Sequence, residues 1–271
     1  MKVAAVQMVS GASLEANLAQ ARSLLSQACD RGAELAVLPE YFAAMGHRDQ
    51  DKLAHAEALG SGPVQDFLAD AARTLGLWIV GGTLPLRTGD DTRVTNSSLA
   101  FAPTGERVAR YDKIHLFQFD NGRERYEEAR VVAAGRQPVT LDIGARDGSL
   151  WRVGLSVCYD LRFPELYRAL SQAGADLLLV PSAFTYTTGQ AHWELLLRAR
   201  AIENLAYVLA PAQGGQHENG RRTWGHSMCI DPWGQVQAQQ AQGPGVVLGT
   251  LERPRMQAWR EQLPAREHRI L

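Results

Sequence analysis

Two short stretches decide the fold: GAELAVLP at residues 32–39 and GADLLLVP at residues 174–181. Each has a glycine and an alanine, an acidic residue, four apolar residues and a proline. Short apolar runs bounded by such residues are typical of buried parallel strands. A second pair of apolar runs lies upstream, VAAVQ at 3–7 and VGLSVC at 153–158. The pairing indicates that one strand-helix pattern occurs twice, although chance similarity between buried strands is the alternative.

Each copy is predicted to run β-α-β-α-β and then form a hairpin. In the first copy Ser13 is suited to cap a helix, and a second helix is expected to begin at Pro63 and end near Gly76. Turns at 103–105 and 231–234 are expected to join the two hairpins. Two such halves bury their apolar sheets only by packing on each other, with the helices outside. We therefore predict an α/β fold, a four-layer α-β-β-α sandwich with an internal pseudo-two-fold duplication.

The composition argues against a nucleic-acid-binding protein and against a membrane-spanning one. The chain has 271 residues, 45% of them hydrophobic, and 28 Lys and Arg against 29 Asp and Glu give a formal charge of −1. This near-neutral balance gives no positive field for a phosphate backbone, so no nucleic-acid partner is expected. No run approaches the ~20 apolar residues of a membrane-spanning helix, and the first residues read as a strand rather than a signal peptide. We expect a cytoplasmic protein without a membrane partner.

No long linker interrupts the pattern, which predicts one domain over residues 1–271. After about Pro254 the chain becomes charged and rich in arginine. This tail is either a loose end or a cover for a partner subunit.

The three cysteines, Cys29, Cys158 and Cys229, contain no CxxC pair, which is unlike a disulfide framework or a zinc site. No metal and no cofactor are expected. Cys29 in a helix and Cys229 in a hairpin strand are interpreted as core residues. Cys158 differs because it follows the strand at 153–157 and precedes a helix that can begin at Pro164. The positive end of that helix is expected to favour a thiolate.

Two more groups stand near predicted strand ends. Glu40 ends the run at 35–39, and Lys113 follows the first hairpin in an apolar neighbourhood where an ammonium needs an anionic partner. A surface carboxylate and a solvated lysine are the alternative interpretations. With Cys158 the set suffices for acyl transfer: the carboxylate takes the thiol proton, sulfur attacks a carbonyl carbon, and the ammonium and a backbone N–H stabilise the oxyanion.

Three ordered segments resemble those of the nitrilase superfamily of carbon-nitrogen hydrolases: LPE at 38–40, DKIHL at 112–116 and CYDLRFPE at 158–165. The resemblance covers nearly the whole chain. It implies the four-layer fold, a homodimer or higher homo-oligomer, and the catalytic roles of base for Glu40, oxyanion stabiliser for Lys113 and nucleophile for Cys158.

The resemblance also implies a second catalytic glutamate, in a segment that ends in glycine. Here that segment is 126–135, and the spacing to Gly135 favours Glu128, with the adjacent Glu127 left open. A second carboxylate beside Lys113 would offset the buried cation and fix its direction.

The substrate class rests on the same resemblance. Tyr159-Asp160 after the cysteine is similar to the amidase branches, whereas nitrile-hydrolysing members usually carry Trp-Glu there. The segments at 181–184, 188–204 and 224–228 resemble amidases of small 2-oxo compounds that carry carboxylates. The loop at 212–217 favours deaminated glutathione over 2-oxoglutaramate. The expected partner is therefore a small-molecule amide, hydrolysed through a cysteine thioester.

A carboxylate-bearing substrate needs a cation in the site. Arg162 is the first candidate, with an internal ion pair to Glu165 or Asp160 as the alternative, whereas the loop residues Arg221 and Arg222 are interpreted as solvated. The predicted substrate-binding residues are Tyr159, Arg162, Phe184 and Glu194.

Two other functions compete with this interpretation. One is a papain-like hydrolase that combines Cys158 with His192 or His226 and with Asn204. The other is a non-catalytic regulatory or scaffolding protein of the same fold. The histidines are otherwise interpreted as hydrogen-bonding residues, because no metal-ligand spacing accompanies them.

Overall fold

The computed structural model describes residues 1–122 and 125–270. The first half contains β1 (Lys2–Gln7), α1 (Leu14–Asp30), β2 (Leu35–Val37), α2 (Asp51–Ala54), α3 (Pro63–Leu75), β3 (Trp78–Val80), β4 (Leu84–Arg87), β5 (Val94–Phe101) and β6 (Arg107–Asp112). The second half contains β7 (Gln118–Asp120), β8 (Arg125–Glu127), β9 (Val139–Gly144), β10 (Leu150–Leu155), α4 (Pro164–Gln172), β11 (Leu177–Leu179), α5 (Tyr186–Asn204), β12 (Tyr207–Ala210), β13 (Ser227–Ile230), β14 (Val236–Gln240), β15 (Gly245–Thr250) and α6 (Arg253–Gln262).

The two sheets have the same plan. In the first, β1, β2 and β3 are parallel and β5 continues the sheet antiparallel to β3; in the second, β10, β11 and β12 are parallel and β13 follows antiparallel to β12. Each sheet also has an antiparallel strand on the other side of its first parallel strand. In the second sheet this strand is β9, which lies beside β10. In the first sheet it is β15, which lies beside β1 and places Gly249 opposite Val3. The predicted duplication is confirmed, and the last strand of the chain completes the sheet of the first half.

The core follows the two-residue period of the strands. Ala4 and Val6 of β1 pack outward under α1 and α3, whereas Val3 and Ala5 pack inward in a cluster that includes Leu209 of β12. Because residues of a strand alternate between the faces of a sheet, each buried strand serves two cores at once. The outer face of the second sheet is covered by α4 and α5. The layers are therefore helix, sheet, sheet and helix, and the predicted fold class is confirmed.

The predicted local signals are present at the ends of elements. The Ser13 hydroxyl accepts a hydrogen bond from the Ala16 N–H (3.3 Å) at the start of α1. Helix α3 begins at Pro63 and is followed by Gly76 in the left-handed conformation, with φ +60°. Both hairpin turns lie where they were predicted. The features that were not predicted include the short helix α2, the β7-β8 hairpin, strands β4, β9 and β15, and helix α6.

The charged tail is an ordered part of this chain. Helix α6 buries Met256 completely, and Arg260 pairs with Asp176 at 2.8 Å. Trp259 of α6 stacks on Trp233 with a ring-centroid distance of 5.9 Å. The interpretation as a loose end is therefore wrong for the residues of this helix. Within residues 1–122 and 125–270, no helix is long and apolar enough to cross a bilayer.

Candidate active site

The residues predicted for chemistry meet in one cavity. Glu40 follows β2, Lys113 follows β6, and Cys158 follows β10, so each stands just beyond the end of a strand. With Glu128 they line an opening whose empty volume, including its mouth, is about 490 Å³. The predicted reactive groups therefore face one common opening.

Cys158 occupies a sharp turn between strand and helix. Its φ is +51°, a left-handed conformation that is costly for a residue with a side chain. The Cys158 N–H donates to the Pro181 carbonyl (3.0 Å), and a short 3₁₀ turn, Cys158–Arg162, leads into α4. The first N–H groups of such a turn have no acceptor within it, which leaves the Tyr159 N–H suited to an oxyanion. Strained turns of this kind expose a side chain at the top of a sheet.

The electrostatics keep the Cys158 sulfur protonated. Burial and the negative charge of Glu40 raise the pKa of the Cys158 thiol well above its usual range, and the Lys113 ammonium only partly offsets them. The prediction that a helix terminus favours a thiolate is therefore wrong in sign. The reason is that burial and a like charge outweigh the partial charge of a short 3₁₀ turn.

Lys113 lies between two carboxylates. Its Nζ is 2.9 Å from Glu40 Oε1 and 2.8 Å from Glu128 Oε2, and all three side chains are buried. Burial alone lowers the pKa of Lys113, but the two carboxylates raise it above its usual range. The lysine is thus a fixed, fully charged cation beside the cysteine.

Glu128 is the member of the glutamate pair that contacts Lys113. It also accepts a hydrogen bond from the Phe117 N–H at 2.8 Å. Burial alone raises the pKa of Glu128, yet Lys113 and this hydrogen bond lower it to about 2. Glu127 also lines the cavity, but its carboxylate pairs with Arg125 and Arg130 at 3.5 and 3.6 Å. Glu128, which the spacing to Gly135 favoured, is therefore the glutamate in contact with Lys113.

Three further groups hold the carboxylates in place and were not predicted. The Asn96 side chain donates to Glu40 Oε1 (2.9 Å) and to Glu128 Oε1 (3.2 Å). The Tyr41 hydroxyl also donates to Glu128 Oε1 (2.8 Å). The Ala183 N–H donates to Glu40 Oε2 (2.9 Å). A signal for Asn96 existed: β5 is buried at every position yet contains four polar residues in a row, which need partners. Tyr41, the residue directly after Glu40, has a left-handed backbone conformation with φ +56°.

Asp160 ties the lysine segment to the cysteine turn. Its carboxylate accepts hydrogen bonds from the Tyr111 hydroxyl (2.7 Å), the Val157 N–H (2.9 Å) and the His115 N–H (2.9 Å), and it is completely buried. The His115 ring lies 2.7 Å from the same carboxylate. Because the strand of Lys113 and the turn of Cys158 share this anchor, their relative position is fixed.

The predicted substrate-binding residues divide into two groups. Tyr159 and Phe184 line the cavity. Arg162 lies beside them, with its guanidinium carbon 5.8 Å and 5.3 Å from the two ring centroids, and it hydrogen-bonds to His192 (3.2 Å). Glu194 does not line the cavity; its carboxylate is exposed on α5 and lies 3.6 Å from Arg198. The alternative ion pair of Arg162 with Glu165 or Asp160 is not formed in the part of the chain described.

Arg221 is placed differently from its prediction. It was interpreted as solvated, but it lines the cavity, and its Nε atom is buried. Its Nη2 donates to the Ala183 carbonyl at 2.8 Å. Arg222 is exposed, as predicted, and its guanidinium lies over the Tyr186 ring at 3.6 Å. Local pattern does not distinguish which of two adjacent arginines turns inward.

The papain-like alternative finds no support in this geometry. No histidine is among the described residues that line the cavity. His192 and His226 line a different surface pocket, and Asn204 donates to the Arg200 carbonyl near the end of α5. Among the described residues, no group of three or more His, Cys, Asp or Glu is arranged to hold a metal ion.

Two packed halves of the same plan thus bring a thiol, two carboxylates and a lysine together at one opening. A model of the carbon-nitrogen hydrolase family matches residues 2–261, and the chain belongs to this family. It is 42% identical over 270 residues to a protein of Synechocystis sp. named deaminated glutathione amidase, covering 98% of this chain and 97% of that one.

Two solved structures share the fold. The NitFhit protein of Caenorhabditis elegans has a TM-score of 0.88 and 36% identity, covers 99% of this chain, and is longer, so that 64% of it is matched. A mutant amidase from Nesterenkonia sp. AN1, with acrylamide added to its active-site cysteine, has a TM-score of 0.80 and 27% identity, over 97% of this chain and 98% of that one.

Proposed function

We propose that the chain hydrolyses the amide bond of deaminated glutathione through a thioester on Cys158. The observation that carries this proposal is the contact of Lys113 Nζ with both Glu40 and Glu128 in the cavity that Cys158 lines. The name of the Synechocystis relative supports the choice of substrate.

The first half-reaction forms the thioester. Because the resting sulfur is protonated, Glu40 takes its proton as Sγ bonds to the amide carbon. Charge on the carbonyl oxygen is stabilised by Lys113 Nζ and the Tyr159 N–H. The C–N bond then breaks, and Glu40 returns the proton to the departing nitrogen. The amine leaves, and the acyl group stays on sulfur.

The second half-reaction uses the same groups in reverse. Glu40 takes a proton from water as its oxygen bonds to the thioester carbon, and Lys113 and the Tyr159 N–H again stabilise the oxyanion. The C–S bond breaks, Glu40 protonates the sulfur, and the carboxylic acid leaves. One carboxyl group thus serves both steps without a histidine.

Glu128 acts as a positioning residue in this scheme. Its pKa of about 2 keeps it ionised at working pH, so it holds the Lys113 ammonium through two oxygens at 2.8 and 3.1 Å. Because the Lys113 ammonium is already in place, it does not have to move when negative charge develops on the carbonyl oxygen of the substrate.

We further propose a homodimer. Large apolar side chains are exposed together on and near α5, where Leu195 is 71% exposed, Ile202 46% and Trp233 51%. An exposed apolar face of this kind is suited to a second subunit.

A substrate comparison tests the proposed reaction. Purified protein is assayed for acid release from deaminated glutathione, 2-oxoglutaramate and a simple nitrile. We expect the highest kcat/KM on deaminated glutathione, and no turnover of the nitrile. A higher kcat/KM on 2-oxoglutaramate would instead make the chain an omega-amidase, and inactivity on all three would remove the substrate assignment. A folded protein that hydrolyses none of these substrates and forms no acyl adduct at Cys158 would favour a non-catalytic protein.

A further inference from the structure

Arg221 is an unpaired cation in the cavity. Of the other basic side chains that line it, Lys113 has two carboxylates within 3 Å, and Lys52 pairs with Asp49 at 2.6 Å. Arg221 has no carboxylate within 4 Å among residues 1–122 and 125–270. Its buried Nε also has no hydrogen-bond acceptor in this part of the chain. A buried donor without an acceptor is rare in native proteins, which indicates that a ligand supplies one.

Arg221 and the proposed base Glu40 are linked through Ala183. Ala183 donates its N–H to Glu40 Oε2 and accepts a hydrogen bond from Arg221 Nη2, so the carboxyl and the guanidinium are bound to the same residue. Glu40 must reach the departing nitrogen to protonate it. A group attached to that nitrogen therefore lies near Arg221.

The surroundings hold the guanidinium in place. Its carbon lies 5.3 Å from the centroid of the Tyr126 ring, and Nη1 contacts the Met45 sulfur at 3.9 Å. Neither contact neutralises the charge. A planar guanidinium held in this way is suited to bind a carboxylate through two parallel hydrogen bonds.

We propose that Arg221 is a specificity-determining residue that binds a carboxylate on the departing amine. It would favour amides whose amine carries an acid over primary amides that release ammonia. This inference rests on the proposed function. In deaminated glutathione the departing amine is the dipeptide cysteinylglycine, which ends in a free carboxylate, whereas 2-oxoglutaramate has the same acyl group and releases only ammonia.

The test compares three substrates with one acyl group: deaminated glutathione, its C-terminal carboxamide and 2-oxoglutaramate. In the wild type we expect kcat/KM for the acid to exceed that for the carboxamide by roughly 10–100-fold, the range for a hydrogen-bonded charge. Arg221→Gln should abolish this preference, mainly through KM. Its kcat/KM for 2-oxoglutaramate should fall by much less than its kcat/KM for the acid, because that substrate makes no such contact.

Arg222→Gln is the matched control, because Arg222 is the adjacent arginine and is exposed on Tyr186. It should keep the full preference for the acid, and Arg221→Lys should keep part of it.

Three outcomes overturn the inference. If Arg221→Gln keeps the preference for the acid, the carboxylate binds elsewhere. If it lowers kcat/KM equally for all three substrates, Arg221 only supports Ala183. If the wild type turns over none of them, the proposed function fails first and this inference fails with it.

Discussion

Cys158 and Cys229 are two buried thiols in very different settings. Burial and a nearby carboxylate raise the pKa of both, of Cys229 to about 12, so neither is a thiolate at neutral pH. Cys229 lies within β13, opposite Leu209 and Ala238 on its two neighbouring strands, and a side-chain carbon on Gly249 would collide with its sulfur. Its side chain is therefore enclosed by β12, β14 and β15.

Cys158 is buried to a similar degree, but it stands past the end of its strand and lines the cavity. A carboxylate and a lysine line the same space. Burial by itself, as at Cys229, therefore gives an inert thiol in this fold. Reactivity comes from a base within reach, a fixed cation and an opening for substrate.

The largest expected effect is that of Cys158→Ala. Removing the proposed nucleophile should lower kcat by about 10⁴-fold or more, as for other enzymes that lose the attacking atom. The fold should remain intact, because the side chain lies at the edge of the core. Steady-state kinetics and thermal unfolding of the same preparation measure the two effects.

Cys229→Ala is the control for this variant. Its kcat/KM should stay within about twofold of wild type, whereas its free energy of unfolding should fall by about 1–2 kcal/mol because a small buried group is lost. A variant of Cys229 with strongly reduced kcat, or a Cys158→Ala protein that still turns over, would break the comparison.

Lys113→Ala has the next largest effect. Loss of an oxyanion donor costs about 10²–10³-fold in kcat, and two buried carboxylates left without a cation cost about 3–5 kcal/mol of stability. We expect both, with kcat measured well below the unfolding temperature of the variant. Near-wild-type turnover in a folded Lys113→Ala protein would refute the oxyanion role.

Glu40→Gln separates the two proposed catalytic sets. Removing a general base should lower kcat/KM by about 10²–10⁴-fold. His192→Ala and His226→Ala should stay close to wild type, since neither ring lines the cavity. The reverse pattern, with a severe loss for one histidine and a mild loss for Glu40→Gln, is what a papain-like enzyme would give.

The smallest effect is expected in thiol labelling at Cys229. The thiolate fraction rises with pH and reaches one half only at the pKa, so a thiol with a pKa of about 12 stays protonated at pH 8. On this ground alone its alkylation should be roughly 10³-fold slower than that of a free cysteine. Peptide mapping after iodoacetamide treatment should find Cys229 unmodified in the folded protein and modified after unfolding. Rapid labelling in the folded protein would show that the strand is not sealed.

Much of the fold was predictable because each half repeats the same buried strands. GAELAVLP and GADLLLVP contain β2 and β11, and the caps at Ser13 and Gly76 lie where the sequence pattern predicted them. The pairing of β15 with β1 was not predictable, since a strand does not encode which of two similar sheets it joins. The prediction of one domain over residues 1–271 stays a prediction.

The site was predictable only in part. Residues at strand ends, such as Glu40 and Cys158, have positions that follow from topology. The run of polar residues in β5 signals that Asn96 needs partners but does not say which ones, and no local pattern shows that Arg221 rather than Arg222 turns inward. The direction of the Cys158 pKa was missed because a helix terminus is visible in sequence, whereas the charge of Glu40 beside the sulfur is a tertiary feature.

The most direct test of the account is to trap the covalent intermediate. Wild-type protein is mixed with deaminated glutathione, quenched in acid during turnover, and examined by intact-mass and peptide mass spectrometry. The account predicts an acyl group, without cysteinylglycine, on the peptide that contains Cys158 and on no other cysteine. Turnover with no adduct at Cys158, or an adduct at another residue, would contradict it.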